Sequence, residues 1–478
     1  MKTRILFLSL VALLLGVSLC GCQTGKTAAP TETIPETLPS DVLTLELTGT
    51  ELPSHDELLR YSGLQQLDVR NVPLTVAQYE QLKLDFPNCE ILWLVPFQGE
   101  YLDPDTAELT VATVCDEDLD VLTYFPSLQK IHADECRDCE NLMKLKAAYP
   151  HIQISYNMTL GEELISWDTE TYTAENADIS EIAGALPYLP NLREVFFIGE
   201  TPSNEEIYDL MCQYPDISFQ WELTLFGITT PNNVTTLILS EIPMKDTSEV
   251  ESYLKYFPNL ERVEMCDCGI PSDEMGALSE RYPEIRFVWN IKVRGGKLRT
   301  DAIAFIPYKL GYDIDNPLYD GDCKELKYCI DLICLDMGHM KIRDISFLYH
   351  MPNMKYLILG DTPVKDFTPI GSLTEMIYLE IFNVQFTQHE LLLNMTKLED
   401  LNLGSTPTRD IEALKQMTWL KRLWVPNTRL NGVQYEELIA ALPDTQVVTY
   451  GRHSTDRGWR DNQNYRDMRD LLGMWYMH

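Results

Sequence analysis

The stretch MKYLILGDTPVKDFTPIGSLTE, residues 354–375, decides how the rest of the chain is read. It opens on closely spaced apolar residues, passes through Asp and Pro, and closes on a second apolar set. Four other segments open in the same way: LICLDM at Leu332, MIYLEI at Met376, LEDLNL at Leu398 and LKRLWV at Leu420. From Leu332 through Met354 to Leu420, each start lies 22 residues after the one before. Three of the five continue into IRDISFL, VKDFTPI and TRDIEAL, where an aspartate precedes an apolar pair that turns back inward. A fixed period of this length marks supersecondary units that bury their apolar faces only by stacking on one another.

The LxxLxL pattern with its Asp-Ile turn resembles the leucine-rich repeat family, and the 22-residue form looks like the internalin type. That resemblance implies an α/β solenoid, curved, with a parallel sheet on the concave side and helices and turns on the convex side. The first two-thirds repeat on a longer beat: GLQQLDV at Leu64, SLQKIHA at Leu128, NLREVFF at Leu192 and NLERVEM at Leu260 are separated by 64, 64 and 68 residues. Each opens a unit with a strand, an acidic helix and a second strand entered through proline, as in FPNCEILW, YPHIQISY, YPDISFQW and YPEIRFVW, while LPDTQVVTY closes the last repeat. Proline stops the helix, and the alternation after it has the period of two of a half-buried strand. Thr75 with Gln78 and Ser203 with Glu206 have the spacing of capping boxes. A third strand, such as NVTTLILS from Asn233, fits each interval, so a long unit holds three coils of about 21 residues. The expected organisation is long-unit repeats over 41–296, an irregular junction over 297–327, 22-residue repeats over 328–450 and a cap over 451–478. The tail carries Trp459, Tyr465, Leu471, Leu472 and Trp475 at the spacing of a short helix, suited to hiding the final coil.

The N-terminus is of another kind. Lys2 and Arg4 precede an apolar run from Ile5 to Leu19, the charged start and short core of a secretory signal. The run ends in LCGC, which resembles the bacterial lipoprotein box with Cys22 as the first mature residue; Cys20 is the poorer candidate because bulky Leu19 precedes it. The resemblance implies two or three acyl chains on Cys22, and two suffice for stable anchoring. Residues 23–40 are rich in Thr, Pro, Ala and Glu, the composition of a disordered tether. The expected location is the outer side of a bacterial cell membrane. With 73 acidic against 38 basic residues and a net charge of −35, the chain repels polyanions, which excludes nucleic acid as a partner.

The motifs that could carry chemistry have quieter readings. In MCDCG, Cys268 falls on position nine of its repeat, as Cys136 does in DECRDC, a slot that in leucine-rich repeats takes Asn or Cys buried in the turn. Ten cysteines follow Cys22; several, Cys212 among them, read as small buried hydrophobes, and Cys323, Cys329 and Cys334 are close enough in sequence for a bridge. Asp313, Asp315, Asn316, Asp320 and Asp322 invite a calcium reading, but Pro317 and Gly321 break the EF-hand spacing, and a solvated acidic loop is expected instead. No zincin motif, nucleophile elbow or phosphate loop occurs, so neither metal nor cofactor is expected. What remains is the concave face, where the x positions of LxxLxL bring Tyr356, Ile358, Tyr378, Glu380, Arg422 and Trp424 together; aromatic and Arg side chains on a rigid surface carry binding energy in interfaces. The chain is therefore expected to bind a protein or glycan there without catalysis. The alternatives are a cell-wall enzyme with its site in 297–327, and an envelope scaffold.

Overall fold

The computed structural model describes residues 42–161 and 163–474, together with the backbone of Leu6–Ser9. Cys22, the tether and Trp475 lie outside the described residues. The chain forms two compact units, Met1–Trp221 and Glu222–His478.

In the first unit the long beat is a group of three parallel strands. Thr44–Thr48, Gln66–Asn71 and Glu90–Leu92 form one group, Glu108–Thr110, Lys130–Ala133 and Gln153–Leu160 the next, and Thr171–Glu175, Glu194–Ile198 and Ser218–Gln220 the third. The backbone of Leu6–Ser9 runs parallel beside Thr44–Thr48. Both expected capping boxes are formed: Gln78 N donates to Thr75 Oγ1 at 3.3 Å while Thr75 N donates to Gln78 Oε1 at 2.9 Å, and Ser203 and Glu206 repeat the exchange. Helix Val76–Asp85 ends just before Pro87 and the strand resumes at Glu90, so proline marks the re-entry as expected.

The sequence reading missed what closes each beat. After the third strand the chain makes an antiparallel hairpin: Val95–Phe97 with Glu100–Leu102, Gln153–Leu160 with Glu163–Ser166, and, in the second unit, Glu222–Leu225 with Ile228–Pro231 and Asn290–Val293 with Gly296–Arg299. The signal was present. Gln98-Gly99 and Phe226-Gly227 are two-residue loops with both φ values positive (47° and 86°, 51° and 81°), as a tight hairpin with right-twisted strands demands.

The second unit continues with Thr236–Ile238, Arg262–Glu264 and Arg286–Val288, then a seven-stranded parallel sheet: β1 Ala304–Phe305, β2 Cys334–Asp336, β3 Tyr356–Ile358, β4 Tyr378–Glu380, β5 Asp400–Asn402, β6 Arg422–Trp424 and β7 Gln446–Val448. Leu335, Leu357, Leu379, Leu401 and Leu423 are register partners in sequence, all fully buried on one side of the sheet. Each of β2–β6 runs into a left-handed residue at the same repeat position, His339, Asp361, Asn383, Ser405 and Asn427, with φ between 52° and 65°. The N–H of the first four reaches the carbonyl of the next coil at 2.8–2.9 Å. Polar residues that tolerate this conformation stand there because any Cβ in it is strained.

Position nine behaves as expected for its cysteines: Cys136 and Cys268 are buried, and Cys268 Sγ donates to the Leu239 carbonyl at 3.1 Å. Threonine does the same work in the short repeats, Thr362, Thr406 and Thr428 donating to the carbonyl three residues back at 2.7–3.0 Å. Three expectations change. Cys212 is exposed, because its helix buries Ile207 and Leu210 instead. All ten cysteines of the described residues are free, so Cys323, Cys329 and Cys334 form no bridge; burial pushes the Cys323 and Cys329 thiols up to about 12. The stretch 297–327, expected as an irregular junction, contains β1, which continues the ladder, and buries Leu318, Cys323 and Leu326. Among the ten cysteines of the described residues, Cys115 and Cys212 should therefore react quickly with a thiol reagent, while the six buried ones react only on unfolding; more than four fast thiols among these ten would contradict this packing.

Candidate functional site

The other side of β1–β7 carries the x positions of the repeat. Register places Cys334, Tyr356, Tyr378, Asp400 and Arg422 in one row and Asp336, Ile358, Glu380, Asn402 and Trp424 in a second. The six residues expected to bind a ligand are therefore brought together. They are not an open wall. Tyr378 and Glu380 are 0% exposed, Tyr356, Ile358 and Trp424 are buried, and Arg422 is nearly so. What covers them is the C-terminal segment, which runs back over the sheet face rather than sealing the last coil. The physical reason is the apolar character of the tail: Trp459, Met468 and Leu472 are buried there in one cluster with Tyr356, Ile358, Tyr378 and Trp424.

The contacts are specific. Trp459 stacks on Tyr378, ring centroids 5.2 Å apart, and tilts against Trp424 at 5.1 Å, with the Arg422 guanidinium 4.5 Å from its ring centre. Its indole N–H donates to Glu380 Oε1 at 2.7 Å, Arg460 Nη2 donates to Glu380 Oε2 at 2.9 Å, and the Tyr378 hydroxyl donates to the same carboxylate. Three sheet side chains hold main-chain carbonyls of the tail: Asn402 on Ser454 at 2.9 Å, Trp424 on Asp456 at 2.9 Å and Arg422 on Trp459 at 2.9 Å. Arg422 Nε also pairs with Asp400 Oδ1 at 2.6 Å, and Asn464 reaches Asp400 Oδ2 at 2.7 Å. The segment then enters helix α1, Gln463–Leu471, capped by Asn462.

Beside α1 a cleft of about 430 Å³ opens between the tail and the turn after β1, lined by Tyr312, Asp336, His339, Phe382, Tyr465 and Arg469 among others. Asp336 accepts from Gly338 N at 3.0 Å but has no cationic partner in direct contact. Burial, with nearby Glu380 adding to it, raises its pKa from 3.8 to about 6 against the smaller pull of Arg460 and Arg469. The closed state thus takes up a proton at a pH where the unfolded chain does not. Stability from this group is present below about pH 4 and is lost as pH rises through 6, by at most about 3 kcal/mol. The urea midpoint should fall between pH 4 and pH 7 on this account, and Asp336→Asn should flatten that part of the profile; an unchanged slope would refute it.

The acidic loop is solvated at Asp313, Asp315 and Asn316, which are exposed, and structural at its end, where Asp320 and Asp322 are partly buried. Asp320 accepts from the backbone N–H of Arg343 at 2.6 Å and Asp344 at 3.1 Å, and Asp322 pairs with Arg294 at 2.8 Å. A smaller cleft of about 180 Å³ nearby brings Asp320, Asp344, Ser346 and His350 together, the convergence an enzyme reading of 297–327 calls for. Its carboxylates are engaged by turns, Asp344 accepting from Ser346 N at 2.9 Å. Among the described residues no group of side chains is placed to hold a metal ion, and no helix is long and apolar enough to cross a membrane.

No family model and no curated protein matches the chain. Among solved structures it is similar to an internalin from Listeria monocytogenes, with 14% identity over 86% of this chain and 82% of that one, TM-score 0.26. Internalin C2 from the same organism matches at 19% identity over 46% of this chain and 81% of that one, TM-score 0.26. A leucine-rich repeat protein from Leptospira interrogans matches at 16% over 86% and 92%, TM-score 0.29. At these identities and scores, the fold rests on the chain's own geometry. By its repeat spacing, strand register and turn chemistry, the chain has the fold of an α/β leucine-rich repeat solenoid.

Proposed function

We propose that this chain is a non-catalytic binding protein whose partner is a polypeptide engaged on the β2–β6 face, displayed outside the cytoplasm on a lipid anchor at Cys22. One observation carries the choice of ligand: the face already holds a polypeptide, through side-chain donors on three main-chain carbonyls and a slot for one indole. Carbonyl contacts of this kind suit any peptide, whereas an aromatic slot with a buried carboxylate selects a side chain. A glycan remains the competing occupant, since aromatic faces and carboxylates also suit sugars. Cleavage ahead of Cys22 would remove Leu6–Ser9 and leave Thr44–Thr48 as the outer strand of its group.

The test has two arms. A displayed-peptide library panned on the immobilised full chain should enrich ligands that are lost in Glu380→Gln and kept in Val433→Ser, a substitution at an exposed site away from the face. Absence of peptide binders together with selective capture on an oligosaccharide array would overturn the polypeptide reading. In cells, Cys22→Ala should abolish incorporation of labelled fatty acid and release the protein from the membrane fraction; unaltered retention would remove the anchor.

A further inference from the structure

We infer that the segment from Trp459 to Met474 is a resident ligand in cis, exchangeable for a segment of a partner protein that presents a tryptophan-arginine pair ahead of a short helix. This rests on the binding role proposed above for the same face and names the chemistry that face selects.

The first support is the contrast between the two sides of one set of strands. On the coil side the register partners are Leu335, Leu357, Leu379, Leu401 and Leu423, a wall that water cannot meet without large cost. On the tail side the same strands carry Asp336, Glu380, Asp400, Asn402 and Arg422 among the apolar Cys334, Tyr356, Ile358, Tyr378 and Trp424. A permanent interior built with that many polar groups is poorly stabilised, because each must be desolvated and then matched. When the segment leaves, those groups regain water. Uncovering this face therefore costs less than uncovering the all-leucine side.

The second support is how the segment is held. Asn402, Trp424 and Arg422 read carbonyls and so impose no sequence. Selection falls on Glu380, which offers one oxygen to an indole N–H and the other to the adjacent guanidinium. The Tyr378 hydroxyl, on the same strand, holds that carboxylate whether or not the tail is present, so the acceptor is oriented in advance. A partner lacking either the indole or the cation would leave Glu380 buried with a lone pair unmatched.

The third support is the weakness of the segment as an independent element. Helix α1 has nine residues, below the length at which an isolated helix is stable in water, and only Met468 of it is fully buried. Arg460 remains 39% exposed, and the open cleft beside α1 admits solvent to its flank. The approach to Trp459 passes through two consecutive left-handed residues, Arg457 at φ 64° and Gly458 at φ 78°. Tethering supplies the resident copy at an effective concentration of roughly millimolar, so an incoming segment competes against that and not against an empty face.

The experiment uses the full chain and a labelled synthetic peptide with the sequence of residues 456–474, followed by fluorescence anisotropy. Full-length Trp459→Ala/Arg460→Ala should bind the peptide at least about tenfold more tightly than the wild-type chain, because its own competitor is weakened. Adding Glu380→Gln, or replacing the tryptophan or its neighbouring arginine in the peptide, should each undo the gain. Equal binding to wild type and variant, or binding indifferent to Glu380, would overturn the inference. Should the double variant fail to fold, amide hydrogen exchange of the wild type decides: residues 459–474 are expected to exchange well before β3–β6, and exchange in step with those strands would make the tail ordinary core. A partner that binds without loosening the tail amides sinks this inference and leaves the binding role standing; a vacated face that takes the tail peptide while no displayed peptide binds the wild type does the reverse.

Discussion

Trp459→Ala is expected to detach the C-terminal segment from the sheet, with a loss of docking free energy of about 3–5 kcal/mol, the range for truncating a buried large aromatic. Trp459 is fully buried, stacks on Tyr378, packs tilted against Trp424, and supplies one of the donors on Glu380. Its removal forfeits the ring contacts and also leaves a buried carboxylate short of a partner, so the cost exceeds that of area alone. The unfolding midpoint in urea should fall, but only until the docking energy is exhausted, since a segment already released can lose nothing more. Adding Leu472→Ala, which removes a second buried anchor, should then cost clearly less than it does in the wild-type background. Two fully additive losses would mean that the segment is part of the cooperative core, and both the exchange argument and the binding argument would lose their ground.

The same segment shows how far the sequence could be read. Even spacing of Leu335 through Leu423 is a strictly local signal, repeated often enough that register followed from counting alone, and the strands pair as counted. Proline before Glu90 and Gln446, and Thr75 with Gln78, are likewise decided within a few residues. The hairpins were written just as locally, in Gln98-Gly99 and Phe226-Gly227, but on strands of only three or four residues, too short for their alternation to stand out. The site was legible in its members and not in its state. Tyr356, Tyr378, Glu380 and Trp424 share a face because strand periodicity requires it, yet their burial depends on Trp459 and Arg460, 79 and 80 residues beyond Glu380. No pattern in either stretch announces the other; what could have suggested it is chemical complementarity, an unmatched carboxylate on a repeat face and an indole with a guanidinium in a tail that has no repeat of its own.

Leu401→Ala should be the costliest single truncation on the coil side, at about 3–5 kcal/mol. Leu401 is fully buried at the middle of β5, with Leu379 and Leu423 as its register partners, so the void cannot be filled from an end or by solvent. In a stacked array each coil touches only its neighbours, and the damage is expected to stay near its origin. Amides that bridge β5 to its neighbours, Ile381 N to Asn402 O at 3.0 Å and Leu403 N to Trp424 O at 2.8 Å, should lose the most protection in hydrogen exchange. Those joining β1 to β2 should lose least. Because Asp400 and Asn402 flank Leu401 and hold the tail through Asn464 and Ser454, the substitution should also loosen residues 459–474, although its side chain points away from them. Uniform acceleration across all seven strands would show that the sheet opens as one body, and the nearest-neighbour account of its stability would have to be abandoned.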